Sequence, residues 1–338
     1  MQHRKIAFTL CLGLAVMLVS NLALAQYQLT NLVSNQIGGA KHIDPLIVNA
    51  WGLAYGTGGP FWISDTGSGW STLYDGKGNK ETLQVLLPSA SGAGPGSPTG
   101  IVFNGSSDFQ VSGNNAFFLF DSLDGTISAW APGSNPNAAK IMVTGTGAVY
   151  TGLAVTTRAT GNLLYAADNL NNKVDVYDGT FTWVNSFTDS TLPAGFAPFG
   201  IQDIGGFVYV AFGSFGQPGG FIDIFQEDGT FVRQLAKGAP LSNPWGLAVA
   251  PKNFGKLSNT LLVSNNTSRG TINAFNLSTG QFVGTIKDTN GKVIAIDELW
   301  GIEFGGGTAA NGRTNQLFFT AGPHEYLAGT FGVITAKP

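Results

Sequence analysis

Residues 243–249 read NPWGLAV, and five further stretches carry the same pattern. They are NAWGLAY (49–55), SPTGIVF (97–103), VYTGLAV (149–155), APFGIQD (197–203) and ELWGIEF (298–304). Their central glycines, Gly52, Gly100, Gly152, Gly200, Gly246 and Gly301, lie 46 to 55 residues apart. A self-similar period of that size marks a propeller or a solenoid. Each repeat continues in the same order. A second apolar run ends in small or polar residues, as in FWISDT (61–66), LLYAADN (163–169) and LLVSNN (261–266). A third run alternates apolar and polar residues, as in KVDVYDG (173–179), and five repeats add a weaker fourth run. No stretch of ten or more residues shows a helical period.

Four strands in each of six units predict an all-β, six-bladed β-propeller with blades starting near 49, 97, 149, 197, 243 and 298. An innermost strand packed between two neighbouring blades should be continuously apolar, as WGLAV is. A glycine there lets neighbouring backbones approach closely. The sixth repeat stops shortly after TFGVI (330–334) and lacks a fourth run, whereas YQLTNLVS (27–34) has strand alternation and no partner. Residues 27–34 are therefore predicted to be the outer strand of the last blade, which would close the ring.

The first 25 residues read as a signal peptide: His3, Arg4 and Lys5, an apolar run from Ile6 to Val19, then Ala23-Leu24-Ala25. Residues 26–338 would then form a single propeller domain, exported to the periplasm or outside the cell, with no membrane insertion after cleavage. The only cysteine, Cys11, falls within the apolar run, so stability must come from a packed core. Without Arg4 and Lys5, 15 basic residues face 20 acidic ones, a balance that argues against a nucleic-acid partner. The chain is expected to act as a monomer.

The third repeat, YTGLAVTTRATGNLLYAADNLNNKVDVYDGTFTWVNSF (150–187), resembles an NHL repeat. The stretches DPLIVNAWGLAY, FWISDTGSGWSTLYDGKG, SPTGIVFNG, PAGFAPFGIQDIGG, SNPWGLAVAP, IDELWGIEFGGG and LFFTAGP extend the likeness over 29–334. Together they resemble an uncharacterised family of exported bacterial proteins with NHL-like six-bladed propellers. That resemblance implies the fold and attaches no activity to it.

In this strand order, loops before inner strands share a face with loops after second strands. The polar residues there are Asp44, Asn49, Asn243, Asp297 and Glu298, and Asp65, Asp121, Asp168, Asn169, Asn265 and Asn266. A ring of carboxylates and amides suits a hard cation such as Ca²⁺. It would fit a metal-dependent hydrolase of the lactonase type acting at the axial face. Asp and Asn at strand ends equally bond nearby backbone N–H groups and set turns. Glu298 stands out because no other repeat has Glu at its position. His42 and His324, with Glu325 and Asp44, are expected near the first–last seam as an acid/base or metal cluster, or as two exposed loop histidines. Trp51, Trp245 and Trp300 precede repeat glycines and are expected in the core. Trp70, Trp130 and Trp183 could form a binding strip for a sugar or peptide, or pack between blades. The function expected first is a binding module for a small molecule, a glycan or a protein, with the calcium-dependent hydrolase as the alternative.

Overall fold

The computed structural model describes residues 26–337 apart from 93 and 146. The segment read as a signal peptide, 1–25, lies outside the described residues. Six antiparallel sheets are arranged as the blades of a propeller. The inner strands are Ala50–Tyr55, Pro98–Phe103, Tyr150–Val155, Ala197–Ile204, Pro244–Val249 and Leu299–Phe304. From each, the chain steps outward through three more strands. Blade 3 runs Tyr150–Val155, Leu163–Asp168, Lys173–Asp178 and Trp183–Phe187. The only helical turn among the described residues is a 3-10 turn at Gly255–Leu257.

Blade 6 is assembled from both ends of the described chain. Gln26–Ser34 pairs antiparallel with Thr330–Lys337, with Tyr27 opposite Ala336 and Ser34 opposite Thr330. The predicted closing strand is thus in place. A further short strand, His42–Ile43, runs parallel to Val33–Ser34 and makes this sheet five-stranded. Blade 2 carries an inserted hairpin, Gln110–Val111 with Asn114–Asn115, which helps to lengthen that repeat.

The hydrophobic core is divided by the architecture. Six clusters fill the six seams between neighbouring blades. Between blades 6 and 1, for example, Leu53, Phe61, Ile63 and Tyr74 meet Phe318, Phe331 and Val333. The seams explain the pattern of the inner strands. Leu53 packs back towards blade 6 and Ala54 forward towards blade 2, so both sides of the strand must be apolar. They also explain the glycines. A Cβ on Gly200 would lie 1.9 Å from the carbonyl oxygen of Trp245 in the next blade, and one on Gly52 would lie 2.5 Å from that of Thr99.

Candidate functional site

The repeat glycine lies where the inner strand slips register against its neighbour. The shift falls between Ala50 and Leu53, Tyr150 and Leu153, Pro244 and Leu247, and Leu299 and Ile302. Such a bulge frees backbone N–H groups from the ladder. Second-strand side chains take them up. Gly246 N–H donates to Ser264 Oγ at 2.8 Å, Gly301 N–H to Thr320 Oγ1 at 2.9 Å, and Gly100 N–H to Asp121 Oδ1. Ser264 then donates to Trp300 O at 2.6 Å and Thr320 to Trp51 O, which ties each blade to the next.

This device absorbs most of the polar residues singled out from sequence. Asp121 is fully buried, and burial pushes its pKa up to about 6 against the hydrogen bonds from Thr99 and Gly100. Asp65 is fully buried, its Oδ2 accepts from Thr72 N–H and Oγ1, and burial raises its pKa well above the carboxylate range. Asp168 accepts from Val149 N–H, Asn171 N–H and Asn171 Nδ2. Asn265 Oδ1 accepts from Ser242 N–H, and its Nδ2 donates to Pro240 O at 2.8 Å. Asn169 and Asn266 donate to Pro198 O and Leu299 O in the following blades. Burial raises the pKa of Asp44, but a Lys80 ion pair at 2.7 Å and hydrogen bonds from Tyr74 and Leu46 outweigh it and hold the carboxyl low.

The expected ring of ligands is not assembled. No group of three or more His, Cys, Asp or Glu side chains is placed to hold a metal ion among the described residues. Calcium needs six to eight oxygens. Most of these carboxylate oxygens are instead taken by backbone, hydroxyl or lysine partners, and the two buried without one, Asp65 Oδ1 and Asp121 Oδ2, belong to different blades, so the residues present do not converge on an ion. His42 and His324 occupy different surroundings. His42 belongs to the extra outer strand and packs near Gly78, whereas His324 N–H caps Asp297 Oδ2 at 3.0 Å in a turn.

On the axis itself the strand-start face is filled by aromatic rings. Trp51, Phe199 and Trp300 form a buried cluster with Trp245, Leu123 and Tyr326 against it. Trp51 and Trp300 stack at 3.5 Å, and Trp51 lies 6.3 Å from both Phe199 and Trp245. Blades 1 and 4 are opposite one another, so a Trp51–Phe199 contact is possible only across the axis. Trp51, Phe199, Trp245 and Trp300 each precede a repeat glycine; blades 2 and 3 have Thr99 and Thr151 there. Trp245 Nε1 donates to Thr151 O at 2.7 Å and Trp300 Nε1 to Asn49 Oδ1 at 2.9 Å, whereas Trp51 Nε1 is buried without a hydrogen-bond partner.

Beside the plug, Asn49, Asn243 and Glu298 share one repeat position, three residues before the glycine. All three are left-handed, with φ of 48°, 47° and 48°. Asparagine tolerates that conformation and glutamate does not. Glu298 is surrounded by Asp297, Glu325 and Tyr326, and burial first, then the neighbouring carboxylates, raise its pKa against a hydrogen bond from Tyr326.

Below the plug the axis opens into a cavity of 450 Å³, walled by residues of all six inner strands. Leu53, Ile101, Leu153, Ile201, Leu247 and Ile302 follow the glycines. The next layer is Ala54, Val102, Ala154, Gln202, Ala248 and Glu303. Four blades place a small apolar residue there, and blades 4 and 6 place Gln202 and Glu303. The Glu303 carboxyl has no hydrogen bond or ion pair among the described residues, and burial alone pushes its pKa up to about 8. Tyr55, from blade 1, stands next to it. Its own pKa rises to about 12 through burial and the nearby Glu303 charge. The side chain keeps a partly exposed surface while being enclosed by protein, as expected of a group facing a cavity. Glu303 was overlooked in the sequence, although aligning the six heptads shows a carboxyl where four relatives carry Ala or Val.

No protein-family model matches the chain. Two uncharacterised proteins of Acanthamoeba polyphaga mimivirus do. One is 31% identical over 336 residues, covering 92% of this chain and 81% of the viral protein. The other is 30% identical over 334 residues, covering 92% and 86%. The chain belongs to their family. These relatives are viral, whereas the sequence resemblance had implied a bacterial family. Among solved structures, virginiamycin B lyase from Staphylococcus aureus matches with a TM-score of 0.52 at 13% identity, covering 92% of this chain and 99% of the lyase. A gluconolactonase from Xanthomonas campestris matches at 0.56 and 15%, covering 86% and 88%. At such identities the likeness shows the propeller fold alone.

Proposed function

We propose that this propeller binds a small molecule in its axial cavity, with Glu303 and Tyr55 as the polar groups that orient it. The cavity carries the reading: it is concave, its lining side chains are mostly apolar between stretches of polar backbone, and it holds one carboxyl with no protein partner. Ligand sites have that make-up, an apolar enclosure with a few placed polar groups. The aromatic plug lies over the strand-start end of the cavity, so the ligand would enter from the strand-end face. Export of the chain, expected from residues 1–25, belongs to the same proposal, because the ligand would then be met outside the cytoplasm.

A filled cavity tests the reading. Ala248→Trp should place an indole among the inner strands without touching the plug. Thermal-shift screening of compounds small enough for the cavity should give stabilising ligands with the wild-type chain and none with Ala248→Trp. Ligands that stabilise both proteins equally would place binding elsewhere and refute the proposal.

One observation favours a second reading, an enzyme. A carboxyl with a pKa near 8 is protonated at neutral pH and suited to donating a proton. Two fold neighbours are named as a lyase and a gluconolactonase, which motivates trying lactone substrates. Lactone opening that persists in EDTA and disappears in Glu303→Gln would establish an acid-assisted reaction. Activity that needs Ca²⁺ and survives Glu303→Gln would return the metal-dependent alternative.

A further inference from the structure

We infer that the axial cavity selects a small organic cation, an ammonium group with an apolar body, over neutral and anionic molecules of the same shape. The inference rests on the cavity being the ligand site and adds the charge class of the ligand. Among the residues that wall the cavity, two are acidic, Asp203 and Glu303, and none is Lys, Arg or His. An anion would therefore meet no countercharge from the wall, and would face Asp203 and, once it ionises, Glu303. A neutral molecule could hydrogen-bond Glu303 but would not offset its charge once the carboxyl ionises. A cation supplies the missing partner, and an ion pair in a poorly solvated site is stronger than one at the surface.

The mouth has a matching character. In the layer beyond Glu303, blades 6, 1 and 2 present Phe304, Tyr55 and Phe103, while blades 3, 4 and 5 present Val155, Asp203 and Val249. The aromatic side of the mouth is thus the side on which Glu303 stands. Aromatic faces attract ammonium groups, and Tyr55 adds a phenol next to the carboxyl. Asp203 contributes less, since its carboxyl accepts from Gly206 N–H and lies near Glu227. The titratable groups facing Glu303 are consequently few: Tyr55 from blade 1, which stays neutral up to about pH 12, and Asp203 across the cavity. The strand paired with that of Glu303 places Phe318 opposite it and brings no charge.

Three probes of one shape separate charge from size: choline, its neutral carbon isostere 3,3-dimethylbutan-1-ol, and the anion 3,3-dimethylbutanoate. Isothermal titration of the purified chain should show choline bound at least about tenfold more tightly than the alcohol, with the anion weakest. Choline does not titrate, so its affinity should rise with pH as Glu303 loses its proton. Glu303→Gln should abolish the preference while still binding the alcohol. Equal binding of choline and the alcohol, no choline binding, or a preference retained in Glu303→Gln would overturn the inference. Ala248→Trp distinguishes the two levels of failure. If it removes all binding and the probes bind the wild type alike, the cavity is the site but does not select charge. If binding survives it, the cavity reading fails as well.

Discussion

At the scale of single residues, the repeat glycines and the left-handed positions make opposite predictions. Gly200 is required by contact, because the carbonyl of Trp245 occupies the place of a Cβ. Gly200→Ala must push apart blades 4 and 5 at their innermost point. A loss of about 2 kcal/mol or more is expected, read as a lower urea midpoint. Glu298 is the converse, a residue poorly suited to its backbone at φ 48° and set among carboxylates. Glu298→Asn restores the residue found at the same position in blades 1 and 5 and should stabilise the fold by about 1 kcal/mol. A melting point that fell instead would show that Glu298 makes a contact worth more than its strain. Glu303 predicts a pH dependence. Its folded pKa of about 8 lies above the ordinary 4.5, so at intermediate pH the folded state holds a proton that the unfolded state has lost. The stabilisation from that proton is complete below the unfolded value and is lost as pH rises through the folded one. Glu303→Gln cannot titrate there. Its unfolding free energy should exceed that of the wild type at about pH 9, by on the order of 1–3 kcal/mol, and the gap should close near about pH 5, both read from urea midpoints.

At the scale of elements, the closing strand bears on two blades at once. Tyr27 is buried, its hydroxyl donates to Phe254 O at 2.8 Å, and its N–H donates to Lys287 O at 3.0 Å, both in blade 5. Tyr27→Phe removes that hydrogen bond and the weaker one the hydroxyl accepts from Leu257 N–H at 3.4 Å, and leaves a buried carbonyl with one partner fewer. It should cost about 1 kcal/mol, measurable as a shift in midpoint at unchanged denaturant slope. The strands were legible in sequence because each kind has its own environment. Inner strands are apolar on both sides, third strands alternate, and the orphaned 27–34 matched the one missing strand. The parallel pair His42–Ile43 with Val33–Ser34 was not legible, since two residues carry no period. Its consequence is that His42, near the first–last seam as expected, sits in an outer edge strand rather than in a loop. The polar strand ends were legible as residues and ambiguous in role. Asp121 reads the same whether it binds a metal or the Gly100 N–H, and only the register shift at the glycine decides between them.

At the scale of the whole molecule, the ring sets what the site can be. The sequence shows Trp51, Phe199, Trp245 and Trp300 one residue before their glycines. That they meet depends on how far the inner strands stand from the axis, which no local pattern encodes. The same distance turns four small apolar residues, Gln202 and Glu303 into one layer of a cavity wall. Closure of that ring is therefore a precondition for the site as well as for stability. Gln26–Ser34 supplies the only strand between Thr330–Lys337 and His42–Ile43, so a chain starting at residue 35 leaves blade 6 with an unpaired edge. Such a chain should melt at a lower temperature and over a broader range, because blades 6 and 1 can separate while the others hold. It should also lose ligand protection of the cavity. A synthetic peptide spanning residues 26–34 should restore both, since all its contacts with blades 5 and 6 are non-covalent and the pairing register is fixed by its alternation. Recovery of the sharp transition in proportion to peptide added would show that this strand closes the ring. A truncated chain that melted like the intact one would mean that the seam between blades 6 and 1 holds through Phe61, Phe318 and Phe331 alone.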